Sequence, residues 1–218
     1  MKNNNMNLLK NKNKLYELDY MRVVACFSVM IVHITVTGVT EYVKGSFPNI
    51  LMLFINRSFK FTTPVFIFLS GVTSFYSYKY KNDFKYFEFL RKRLSKVLPA
   101  YLVWCVIYYA AYLRMGYYVM DIKFFVTQVL FGTMSYHLYF VIIIVQMYIL
   151  GPIFYFALKN SENRIGILIA TGIITYLSAE FIRFHLSDRL FLKYLVFFML
   201  GIYVGIEYDR YLTWVTNN

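Results

Sequence analysis

Arg22 and His33 are the residues whose types and spacing most clearly suggest chemistry. Both lie in the stretch 21–39, which is otherwise apolar and long enough to cross a bilayer. Eleven positions at about 100° and about 1.5 Å per residue return to nearly the same helix face, about 16 Å along the axis. Histidine titrates near neutral pH, as a general base must. Because ionisable groups in lipid are costly and usually functional, the pair predicts a polar groove for chemistry or for transport across a membrane.

Asp19 extends this group at the start of the same helix. It lies three residues before Arg22, so the two side chains share a face and can form an ion pair, and a carboxylate suits a helix N-terminus. A purely structural interpretation stays open. In that interpretation Asp19 caps the helix, Arg22 extends to the lipid headgroups, and His33 hydrogen-bonds a neighbouring helix.

Two further candidates lie elsewhere in the chain. The basic segment 79–96, expected as a loop between two spans, contains Arg93 and Lys96 shortly before Pro99. Such cations bind phosphate groups or, alternatively, anionic lipids at the membrane surface. His137 lies among aromatic residues at the predicted outer surface, where it could meet an external acceptor.

The composition requires a membrane to position these residues. The 218-residue chain is 59% hydrophobic and only 16% charged, where soluble domains have about 25% charged residues. We therefore predict an all-α integral membrane protein, a bundle of about six transmembrane helices. The predicted spans are 21–39, 61–78, 97–113, 138–159, 165–181 and 191–206. Two shorter apolar stretches, 47–55 and 124–131, are expected to lie in the interface or to fold back toward the bundle.

The distribution of basic residues predicts the orientation. With the N-terminus and the C-terminus in the cytoplasm, 15 of the 23 Lys and Arg residues fall on the inner side. The net charge of +12 then follows from loops beside spans and gives no reason to expect nucleic acid as a partner. Residues 1–15 are rich in Asn and Lys and are predicted to form a disordered cytoplasmic tail. Cys26 and Cys105 fall within spans without metal-site spacing, so no metal is expected.

Several motifs occur in an order that resembles the acyltransferase 3 family of membrane acyltransferases. They are LDYMR at 18–22, the Arg22-to-His33 spacing, TPVFIFLSG at 63–71, LRKRLSKVLPAY at 90–101, YHLYF at 136–140 followed by Pro152, and FFMLG at 197–201. The last two are also similar to the membrane protein of the poly-N-acetylglucosamine intercellular adhesion system, which belongs to the same family.

The resemblance implies a function and roles for the candidate residues. It implies transfer of an acyl group, commonly acetyl, from cytoplasmic acyl-CoA to a hydroxyl of a cell-envelope carbohydrate or exopolysaccharide, in the plasma membrane of a bacterium. Acyl-CoA is then a donor substrate, and no bound cofactor is implied. His33 is implied as the catalytic base with Arg22 as its partner, and Arg93 with Lys96 matches an Arg-x-x-Arg pair. Lysine at the second position keeps the charge but loses the bidentate geometry of arginine.

Two alternatives come from other classes of function. An exporter of polysaccharide or lipid-linked sugars would use the same polar groove. The second alternative is an inactive fragment or structural partner, because the family usually has about ten spans, and a domain over 16–218 with six would be little more than half of that fold. A truncated product and a short variant are both compatible with this length.

Overall fold

A computed structural model describes residues 15–78 and 83–217, and in these ranges the chain is helical without β-strands. The helices are α1 (Tyr16–Glu41), α2 (Phe47–Ser58), α3 (Thr62–Phe75), α4 (Tyr86–Arg114), α5 (Ile122–Phe131), α6 (Tyr139–Asn160), α7 (Arg164–Phe181) and α8 (Leu195–Asn217). Short 3-10 turns cover Tyr76–Tyr78, Ser187–Arg189 and Phe191–Tyr194. The tail predicted over 1–15 lies outside the described residues except for Leu15.

Six segments of the described chain are long and apolar enough to cross a membrane. They are Tyr16–Glu41, Phe47–Tyr78, Tyr86–Arg114, Tyr139–Asn160, Arg164–Phe181 and Phe191–Arg210. These segments confirm the predicted all-α class and the predicted number of spans. The chain is therefore a multi-pass membrane protein.

The second span begins earlier than the sequence predicts. It runs from Phe47 rather than from residue 61, because α2 leads into α3 with only residues 59–61 between them. Arg57 and Lys60 interrupt the apolar run at this junction, which explains the misplaced boundary. The expectation that 47–55 lies in the interface or folds back toward the bundle is therefore wrong, because this stretch is the first part of the second span, where α2 packs against α1.

The basic segment before the third span is helical from Tyr86 onward, which corrects the prediction of a loop over 79–96 for residues 86–96. Residues 83–85 are not helical, and residues 79–82 lie outside the described residues. Helix α4 begins at Tyr86, so Arg93 and Lys96 lie on it. Arg, Lys and Leu favour helix, and Pro99 is accommodated within α4. The segment therefore presents its charges at helical spacing, one turn apart.

The described residues form two compact units, the first from residue 15 to Leu69 and the second from Ser70 onward. In the first, the α1–α2 pair is held by close packing and by buried amides. A Cβ placed on Gly38 would lie only 2.8 Å from Met52 Cγ, so the helices approach closely at this glycine. Near the same end, Asn49 Nδ2 donates to the Val39 carbonyl oxygen at 2.9 Å. Small residues and interhelical hydrogen bonds are the usual means of helix association in lipid.

The second unit has an aromatic core around Phe75. The Phe75 ring lies 5.1 Å from Phe89, 4.9 Å from Tyr155 and 6.3 Å from Phe198, measured between ring centroids. These residues come from α3, α4, α6 and α8, so one cluster joins four helices. Aromatic pairs at such distances add stabilisation beyond the area that they bury.

Candidate active site

Helix α1 carries Arg22 and His33 on one continuous α-helix. The helix extends from Tyr16 to Glu41, beyond both residues on either side. The eleven-residue spacing therefore places them on nearly the same face, separated by about 16 Å along the axis. Arg22 lies near the start of the helix, and the half-buried His33 lies well inside the span.

Asp19 and Arg22 form an ion pair, as their spacing predicts. The Asp19 carboxylate accepts from the Arg22 Nη1, one helical turn away. Both side chains remain about half exposed, with 40% exposure for Arg22 and 51% for Asp19. Such pairs add little stability, but this one restricts the direction in which the guanidinium points.

Asn56 is a buried residue next to His33 that sequence reasoning missed. Its Nδ2 donates to the carbonyl oxygen of Val32 at 2.8 Å and to Thr35 Oγ1 at 3.0 Å. These bonds fix α1 against α2 one residue before His33. The spacing of Asn49 and Asn56, seven residues apart in an apolar stretch, was the signal that could have revealed this face.

His33 itself points in another direction. Successive helical residues are separated by about 100°, so the imidazole lies roughly a quarter turn around α1 from Val32. Asn56 therefore holds the backbone next to His33, and the histidine lies about 200° around α1 from Thr35, the side chain that Asn56 contacts. The Asp19–Arg22 pair shares the histidine face.

Arg93 of the second unit has a structural role in addition to any role in binding. Its Nη2 donates to the carbonyl oxygen of Thr73 at 2.7 Å and to that of Ser74 at 3.0 Å. These carbonyls lie in the last turn of α3, just before the 3-10 turn Tyr76–Tyr78, and a cation is favoured near the C-terminal end of a helix. Lys96 is exposed one turn further along α4. The two residues that the sequence groups together thus have different surroundings.

His137 is placed in a small polar group just before α6. Its Nδ1 lies 3.3 Å from Ser135 Oγ, and its Nε2 lies 3.5 Å from the hydroxyl of Tyr108 on α4. The ring also packs against the Tyr108 ring, with centroids 5.5 Å apart. His137 is half-buried, so it is partly accessible at this end of α4 and α6.

The predicted site residues lie in separate groups in the structure. Asp19, Arg22 and His33 share one helix of the first unit, whereas Arg93 and Lys96 lie on α4 of the second unit and His137 precedes α6. Among residues 15–78 and 83–217, no three His, Cys, Asp or Glu side chains are close enough together to hold a metal ion.

These features define a multi-pass helical membrane protein with an ion pair and a histidine on one face of its first span. The acyltransferase domain of the acyltransferase 3 family matches residues 15–217. The chain belongs to that family, and it is a membrane acyltransferase by family. Neither the curated proteins nor the solved structures include a match to it.

Proposed function

We propose that this chain transfers an acyl group, commonly acetyl, from cytoplasmic acyl-CoA to a hydroxyl of a cell-envelope polysaccharide. One observation carries the proposal. A histidine, the side chain that most often serves as a general base, lies inside the first span on the same face of α1 as an oriented arginine. The membership of the acyltransferase domain family supports the reaction type.

In this mechanism His33 acts as the general base. Its imidazole accepts the proton of the acceptor hydroxyl as that oxygen attacks the thioester carbonyl carbon. The carbon–sulfur bond then breaks, and the CoA thiolate leaves and is protonated. The products are an ester on the carbohydrate and free CoA.

The distance between Arg22 and His33 decides the role of the arginine. About 16 Å along the helix is too far for both side chains to contact the same reacting atoms. CoA is a long molecule with its phosphates at the end opposite to the thioester. Arg22 therefore suits the phosphate-bearing portion or the pantetheine arm, while His33 acts at the thioester. Asp19 orients the guanidinium toward that task.

The three remaining predicted residues are assigned to donor and acceptor binding. Lys96, exposed on α4, can attract donor phosphates, while the Arg93 guanidinium also holds the end of α3. His137, with Ser135 and Tyr108, presents hydrogen-bonding groups that suit a carbohydrate hydroxyl. This end of α6 faces outward under the orientation that the basic residues predict.

The test is acyl transfer by the purified protein in vesicles that enclose polysaccharide. Acetyl-CoA labelled in its acetyl group is added to the side that carries α4 residue Lys96. The proposal expects label in the polysaccharide and an equal amount of free CoA. An exporter would move polysaccharide across the vesicle membrane at the same rate with or without acetyl-CoA, and unlabelled polysaccharide with intact acetyl-CoA would refute the proposal.

A further inference from the structure

A cleft lies where the end of α6, the start of α7 and the second half of α8 meet. Two adjoining cavities, of about 500 and about 530 Å³, open at this place. Both are lined by Lys159, Arg164, Glu207 and Arg210. We call this region, with those four residues, the α6–α8 cleft. The orientation predicted from the basic residues places it on the cytoplasmic side.

Arg164 occupies an unusual position in the cleft. It is the first residue of α7, where the helix dipole disfavours a positive charge. Glu207 of α8 compensates by accepting a hydrogen bond from Arg164 Nη1, and both side chains are partly buried. The start of α7 and this arginine together form a place where a negative group is favoured.

Two more cations line the cleft without a carboxylate partner in the part of the chain that the structure describes. Lys159 lies with its Nζ 5.5 Å from the centroid of the Tyr155 ring, and Arg210 is exposed at the rim. Glu207 is already paired with Arg164, while Asp209 lines only one cavity and Glu162 only the other. Each cavity therefore has three cations and two carboxylates, and two of the cations remain available to an anion.

We propose that the α6–α8 cleft binds the phosphate groups of the nucleotide portion of CoA. This inference rests on the proposed function, for which it supplies a donor-binding region in addition to Arg22 and Lys96. A further cationic region is expected because Arg93 donates two hydrogen bonds to carbonyl oxygens of α3, so those donors do not bind phosphate. Lys159 and Arg210 contact phosphate oxygens in this arrangement, and Arg164 is shared between Glu207 and the ligand. The cavity volumes are of the size that ligand sites usually have.

Anionic lipid headgroups carry the same phosphate chemistry, so the experiment compares both sources. Binding of CoA, 3′-dephospho-CoA and adenosine 3′,5′-bisphosphate is measured by calorimetry on the whole purified chain in detergent without added lipid. A second series measures phosphatidylglycerol in mixed micelles. Each series uses the native protein, the double variant Lys159→Gln/Arg210→Gln and a control that loses the same charge at exposed lysines elsewhere, Lys44→Gln/Lys123→Gln.

The proposal expects the Lys159→Gln/Arg210→Gln protein to bind CoA and the bisphosphate at least about tenfold more weakly, with the control unchanged. The native protein should also bind 3′-dephospho-CoA more weakly than CoA. The charge-conserving variant Lys159→Arg/Arg210→Lys should retain binding, and the unfolding temperature of each unliganded variant shows that it is folded.

Three results would overturn the proposal. They are unchanged CoA affinity in the double variant, equal affinity of the native protein for CoA and its dephospho form, and an effect confined to phosphatidylglycerol. These outcomes are separate from those of the proposed function. If acyl transfer occurs but the CoA affinity does not depend on Lys159 and Arg210, only the role of the cleft is refuted. If CoA binding depends on them but no acyl transfer occurs, only the proposed reaction is refuted.

Discussion

Adding one methyl group at Gly71 should destabilise the second unit. A Cβ at this position would lie 2.5 Å from the carbonyl oxygen of Phe198 and 3.0 Å from the amide nitrogen of Ile202. Both atoms belong to the backbone of α8, so no side chain can rotate away. Ordinary contact begins at 3.4 Å, and Gly71→Ala therefore requires α3 and α8 to separate by about 0.9 Å at their crossing.

Two opposing effects determine how much Gly71→Ala changes the free energy of unfolding. Overpacking of this kind costs about 1–3 kcal/mol, and the upper part of that range applies where backbone must move. Replacing glycine by alanine within a helix stabilises that helix by about 1 kcal/mol. We expect Gly71→Ala to lower the free energy of unfolding by about 1–2 kcal/mol.

Gly172 on α7 provides a matched control for this substitution. A Cβ at Gly172 would meet only Val196 Cγ2, at 3.8 Å, so Gly172→Ala should be neutral or stabilising by up to about 1 kcal/mol. Thermal unfolding of both variants in the same detergent, followed by the loss of the monodisperse protein peak, measures the difference. A Gly71→Ala protein as stable as the Gly172→Ala protein would show that α3 and α8 do not approach as closely as described.

Three further predictions concern orientation, the basic helix and the support of α1. In a background without the two native cysteines, a cysteine at Lys85 should be shielded from impermeant thiol reagents in intact cells and one at Lys44 should react, and the reverse pattern would refute the predicted orientation. Arg93→Gln should lower the free energy of unfolding by about 1.5–3 kcal/mol, because the hydrogen bonds to the Thr73 and Ser74 carbonyl oxygens are lost. Lys96→Gln should instead raise the apparent KM for acyl-CoA at unchanged stability. Equal thermal stability of the two variants would show that Arg93 does not stabilise the end of α3. Asn56→Leu should lower the free energy of unfolding by about 0.5–1.5 kcal/mol because it removes the interhelical hydrogen bond to the Val32 carbonyl oxygen, which keeps its donors within α1. A fully stable variant would show that α1 is held by other contacts.

The spans could be predicted because each one is a long run of apolar residues in the sequence. The prediction for 138–159 differs from α6 by one residue at each end, since the apolar run is bounded by the polar residues His137 on one side and Asn160 on the other. The second span was misplaced because Arg57 and Lys60 divide it, and hydropathy alone cannot show that the chain continues in helix across them.

The site could be predicted only where its residues share one helix. Helical periodicity places Asp19, Arg22 and His33 on a common face without knowledge of the tertiary structure. The role of Arg93 at the end of α3 depends on how two helices pack, which periodicity does not determine. For the same reason, the contact between Asn56 and the backbone next to His33 could not be predicted from the sequence.

The measurement that tests the central claim most directly is acyl transfer by His33→Gln protein. Glutamine keeps a polar side chain of similar reach but removes the imidazole that is proposed as the base, and general-base catalysis contributes about 10²- to 10⁴-fold. We expect acylated polysaccharide to fall by at least about 100-fold, with protein abundance and CoA binding close to those of the native chain. A structural histidine would give a different result, with activity kept in His33→Gln and folding impaired in His33→Leu. Retention of more than about a tenth of native transfer by His33→Gln would contradict the assignment of His33 as the base.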